Sequence, residues 1–159
     1  DPEFDRELDR RFGELLQNAK DDRLDHWCHT PAGRLALIIV LDQFSRNIFR
    51  ESPEAFAADA KALQLALDGI HSGDDEVLTL EQRSFSYLPF RHAENLEMQE
   101  LGLAKTRELN AAGYGTDKYA LSHLDIIRQF GRFPHRNKAL GRKNTAEEEL
   151  YLSDGKAGF

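Results

Sequence analysis

A chain of 159 residues with 40% hydrophobic content and a formal charge of −7 can bury one core without a metal or disulfide staple. Its excess of 28 acidic over 21 basic residues excludes broad nucleic-acid binding, which needs an extended cationic surface. The longest apolar run, 35–41, falls far short of the roughly 20 residues that span a bilayer, so no membrane partner is expected.

The single cysteine, Cys28, rules out an internal disulfide and fits a reducing compartment, with the cytoplasm as the expected address. The chain does not start with Met and opens inside a helical pattern. A further N-terminal segment is therefore expected ahead of a single helical domain over 1–159.

Apolar residues Phe4, Leu8, Phe12, Leu15, Leu16 and Ala19 recur at three- and four-residue steps and predict a helix over about 3–19. Thr30-Pro31 and Ser52-Pro53 each set a hydroxyl at the N-cap and a proline at the first helical position. They predict helices over about 31–49 and 53–69. A polar break framed by Gly69 and Gly73 follows. Thr79 and Gln82 make a capping-box pattern that opens a segment to about 109, kinked near 87–90 by Pro89.

After a glycine-bearing loop at 110–115, a helix is expected from about 117 to 130, closed by Gly131 in the left-handed conformation. Pro134 starts a short helix ending near Gly141, and Thr145 with Glu148 repeats the capping box for a last helix to about 152. No segment alternates apolar and polar residues. The reading is all-α, an irregular array of antiparallel helix pairs.

Cationic side chains gather in one place. Between 123 and 143, six Lys or Arg stand against the single acid Asp125. Such an island is either a site for an anion or an internal ion-pair seam. Within the second helix, Asp42, Arg46 and Arg50 share a side opposite Leu37, Leu41, Phe44 and Ile48. Protein is expected nearly all round this helix, and a buried guanidinium needs an acid or a bound anion. Asp42 is the structural candidate for Arg46.

Arg91, His92, Glu94 and Asn95 follow the kink. His92 and Glu94, two residues apart, point apart on a helix and make no metal pair. His123 shares a face with Ile127 and Phe130 and reads as a core histidine. Phe133, the N-cap ahead of Pro134, offers no side-chain acceptor, so the amides of His135, Arg136 and Asn137 are candidates for a negative group aided by Arg132 and Arg136. A neighbouring Glu or Asp can equally fill that place. His26, Cys28 and His29 lack a second cysteine pair; neither a metal site nor a cofactor is expected. The aromatic residues read as core filler.

Three segments, 41–50, 87–95 and 125–137, resemble in order the bacterial family known as domain of unknown function 924. The similarity extends over nearly the full chain. The resemblance implies a tetratricopeptide-repeat-like helical fold and an additional N-terminal segment with a Phe-Trp-Phe-like pattern that is absent here. It brings no established activity.

The expected function is a binding module whose groove accepts an anion, either an acidic peptide or a phosphorylated small molecule. Its candidate ligand-binding residues are Arg46, Arg50, Arg91, His92, Arg132, His135, Arg136 and Asn137. An enzyme using His92 or His135 as general acid or base, with the arginines stabilising an anionic substrate, is the alternative. A purely structural ion-pair network is the third.

Overall fold

The structure is a computed structural model and describes residues 1–155. Among them every regular element is helical and none is a strand. Helix α1 (Pro2–Lys20) is capped by the Asp1 carboxylate, which accepts from the Glu3 amide at 2.9 Å, and it buries Leu8, Leu16 and Ala19. Helix α2 (Pro31–Ile39) starts as its Thr-Pro signal predicts, the Thr30 hydroxyl accepting from the Gly33 amide at 3.1 Å.

The single helix expected over 31–49 is interrupted. Between α2 and α3 (Ser45–Ile48) the ladder widens to π spacing over Val40–Phe44. A π turn holds more residues per turn than an α turn, so side chains beyond it depart from the regular wheel. It seats Asp42 at 1% exposure, fully inside the protein.

The expected helix 53–69 resolves into a 3-10 turn, Pro53–Phe56, and α4 (Asp59–His71). Helix α5 (Asp74–Val77) occupies the expected polar break, tied down by an Arg34–Asp74 ion pair at 2.8 Å. Both halves of the Thr79–Gln82 capping box are present at α6 (Leu80–Ser86), which abuts α7 (Leu88–His92) at Tyr87, where Pro89 predicts a break. A second break at 93–95 separates α7 from α8 (Leu96–Ala111), whose first turn is capped by the Asn95 side chain on the Met98 amide at 3.0 Å.

Helix α9 (Lys118–Phe130) ends at Gly131, φ 72°, in the left-handed conformation. After Pro134 only a 3-10 turn, Pro134–Arg136, forms, and the chain turns on to α10 (Ala146–Ser153) behind its Thr145–Glu148 capping box.

Apolar faces close the core in sequence-distant groups. Leu16 and Ala19 of α1 meet Leu37, Leu41 and Ala62, while Ile38 and Ala66 meet Tyr87, Phe90 and Leu109. Helix α7 thus packs against α4 on one side and α8 on the other. Gly102 permits the second contact: a Cβ there would lie 2.7 Å from the Cβ of Phe90. Phe90 and Phe133 are fully buried, each contributing about 1.5–3 kcal/mol. Among the described residues no helix is long and apolar enough to cross a membrane.

Candidate functional site

Four elements converge on a cleft of about 380 Å³. The Pro53–Phe56 turn and α4 supply Phe56, Asp59 and Leu63; α7 supplies Pro89 and His92; Arg136 closes the wall. His92 and the cationic island thereby meet, although 44 residues of chain separate His92 from Arg136.

Behind His92 lies Asp42. The two side chains touch through Nδ1 and a carboxylate oxygen at 2.7 Å. Burial holds the His92 imidazole below its ordinary pKa, outweighing the Asp42 contact that pulls the other way. Asp42 is itself held below its ordinary value: burial would raise it, but the His92 hydrogen bond, the Arg46 charge and the Gln43 amide together prevail. The pair therefore stands as a carboxylate beside a neutral imidazole. Since a carboxylate only accepts, Nδ1 carries the proton and Nε2 is the basic nitrogen.

Asp42 also pairs with Arg46 at 3.1 Å, as the four-residue spacing suggests. Arg46 in turn grips Asp59 with two parallel bonds of 2.8 and 2.9 Å. Arg136 reaches that same Asp59 only at 3.4 Å, and donates to the His92 carbonyl at 2.9 Å. Its guanidinium is sandwiched between the Phe56 and Phe133 rings, 4.6 Å from each centroid, and its buried Nε–H finds no acceptor among the described residues. Burial, followed by the neighbouring Arg46 charge, pulls its pKa down to about 10. Asp59 and Glu94, which also line the cleft, act in the opposite direction without offsetting the burial.

The other expected site residues lie elsewhere. Arg50 is exposed and bonds Asp5 of α1. Arg132 forms a fork with Glu148 at 2.7 and 2.8 Å, and the Asn137 side chain joins Glu148 at 3.2 Å. His135 is exposed, its ring 5.6 Å from that of Phe133. Arg91, next to His92 on α7, lines a different cleft. The amides of Arg136 and Asn137 are not available to a ligand, because the 3-10 turn spends them on the carbonyls of Phe133 and Pro134.

Much of the cationic island is thus knitted into the fold. Arg142 clasps Glu94 at 2.7 and 2.8 Å, and Glu94 also accepts from the Phe133 amide at 2.7 Å. Glu94 thus occupies the Phe133 amide, not the amides of His135, Arg136 and Asn137 that the sequence leaves open. His123 is buried as a core histidine, with Nδ1 2.7 Å from the Tyr119 carbonyl.

Asp59 and Phe56 are the site residues that sequence reasoning misses. Both follow an ordinary Ser-Pro helix start, and nothing local marks them as partners of a guanidinium 77 residues away. Among the described residues no group of three or more His, Cys, Asp or Glu could hold a metal ion.

An all-helical array with an arginine- and histidine-walled cleft is the class of protein these features define. The chain belongs to the family described as bacterial protein of unknown function (DUF924), whose sequence model matches residues 1–156. A solved structure similar to it is that of a protein of unknown function, ATU0120 from Agrobacterium tumefaciens, with 38% sequence identity and a TM-score of 0.87. That likeness covers 97% of this chain and 86% of the other. No curated protein matches.

Proposed function

We propose that this protein is a helical binding module that accepts a small anionic group in the cleft walled by Arg136 and His92. One observation carries the reading: Arg136 lines the cleft, yet the carboxylate that reaches it, Asp59, is already held in two bonds by Arg46. A carboxylate or phosphate entering the cleft would supply the missing charge through forked hydrogen bonds. Leu63, Pro89 and Leu140 add apolar wall, so the ligand carries a nonpolar part beside its anion. An acidic peptide and a phosphorylated small molecule both meet that description. The single Cys28 supports a cytoplasmic setting, and a tetratricopeptide-like stacking of the helices belongs to the same reading.

A thermal-shift screen against phosphorylated metabolites and acidic peptides tests it. Stabilisation by at least one anionic compound, reduced in Arg136→Lys, is expected. A flat response across the panel contradicts it.

The Asp42–His92 contact favours a second reading, an enzyme in which the neutral His92 takes a proton through Nε2. Within it, His92 is the base, because the buried Asp42 carboxylate orients it through Nδ1. Turnover of an anionic substrate that is lost in His92→Gln while ligand binding persists would establish it.

A further inference from the structure

Helix α7 exposes two neighbouring cationic or basic side chains to two separate clefts. His92 lines the cleft described above, whereas Arg91 lines a smaller one of about 240 Å³ between α6, α8 and the loop that leads into α9. Its walls are Leu109, Tyr114, Tyr119 and the hydroxyl-bearing Ser84, Thr106 and Thr116. Among the described residues no acidic side chain lines it.

Arg91 differs from the other arginines of the expected site. Arg46, Arg50, Arg132 and Arg136 each have a carboxylate within 4 Å. The Arg91 guanidinium, partly buried, makes no ion pair and no side-chain hydrogen bond among the described residues. Burial holds its pKa below the ordinary value, and Asp42, already engaged by His92 and Arg46, acts on it only through space.

We propose that this second cleft binds a small aromatic monocarboxylate, with the carboxylate on Arg91 and the ring against Tyr114, Tyr119 and Leu109. The charge count selects a monoanion. One guanidinium balances one negative charge, and the second charge of a phosphate dianion would be left uncompensated in a partly enclosed site. Of the three hydroxyls, one is free to donate to the carboxylate. Ser84 and Thr106 spend their protons on the carbonyls of Glu81 and Gly102, at 2.6 and 2.8 Å. Thr116 accepts from the Lys118 amide at 3.3 Å and keeps its own proton to donate.

Size limits the ligand further. Pockets for drug-sized molecules run to roughly 300–1,000 Å³, so this cleft suits a single ring. Its rim is set by the backbone: Gly113 and Gly115 take φ of 87° and 72°, conformations that glycine adopts freely, and the Tyr114 amide is fixed on the Leu109 carbonyl at 2.9 Å.

The test is calorimetric titration of the intact protein with 4-hydroxybenzoate, and with inorganic phosphate as the charge control. Saturable binding of 4-hydroxybenzoate, at least tenfold tighter than phosphate, is expected. Arg91→Gln should weaken it tenfold or more, and Tyr119→Ala, at an exposed position, should weaken it severalfold in a protein that remains folded. Arg136→Lys should leave it unchanged, which separates this site from the larger cleft. Absence of saturable binding, tighter binding of phosphate, or equal affinity in wild type, Arg91→Gln and Tyr119→Ala would overturn the proposal.

Discussion

Asp42 and His92 lie 50 residues apart in the chain and 2.7 Å apart in space. The contact joins the π turn to α7 and ties the imidazole to a carboxylate that is 1% exposed. Asp42→Asn keeps the shape but removes the charge facing Arg46. A loss of about 2–4 kcal/mol is expected, because a partly buried guanidinium is left with less negative charge around it. Urea unfolding measures it, and a change below about 0.5 kcal/mol would show that the contact does not stabilise the fold.

His123 gives the fold an acid-sensitive point. Burial holds its pKa down to about 4, from an ordinary value of 6.5. A folded-state pKa below the unfolded one means that the unfolded chain binds the proton more readily. The contribution is therefore complete above about pH 6.5 and is lost as pH falls towards 4, on the order of 3 kcal/mol. NMR titration of the imidazole should place its midpoint near 4, and His123→Phe should reduce the slope of stability against pH in this window.

Glu148 acts in a lower window. The Arg132 hydrogen bonds, opposed by burial and aided by the Thr145 amide, hold its carboxyl at about 2 against an ordinary 4.5. The stabilisation is present above about 4.5 and disappears as pH falls through about 2. Glu148→Gln should raise the pH midpoint of acid unfolding, followed by circular dichroism, and an unchanged midpoint would contradict this role.

Close approach of α7 and α8 makes Gly102 a sensitive position. Gly102→Ala places a methyl 2.7 Å from the Phe90 Cβ and should cost about 1–3 kcal/mol through overpacking, despite alanine's better helix propensity. Thermal denaturation of the variant measures it. Unchanged or increased stability would mean that the two helices separate without cost.

The helices were legible where local chemistry announces them. Thr30-Pro31, the two capping boxes and Gly131 act within one turn of their own position, and each sits where its residues predict. The π turn at Val40–Phe44 was not legible, because it appears within an uninterrupted helical pattern and depends on what α2 and α3 pack against. In the site, Arg46 with Asp42 followed from four-residue spacing. The sharing of Asp59 by Arg46 and Arg136 did not, since a pairing across 77 residues has no periodic signature. Nor could adjacency in sequence reveal that Arg91 and His92 line different clefts.

Calorimetric titration of an anionic ligand from the thermal-shift panel into wild type and Arg136→Lys, at low and moderate salt, tests the central claim most directly. Lysine keeps the charge but lacks the planar fork and the stacking between Phe56 and Phe133. Binding that weakens tenfold or more in Arg136→Lys and declines with salt is the expected result. Equal affinity in the two proteins would contradict an anion site at Arg136.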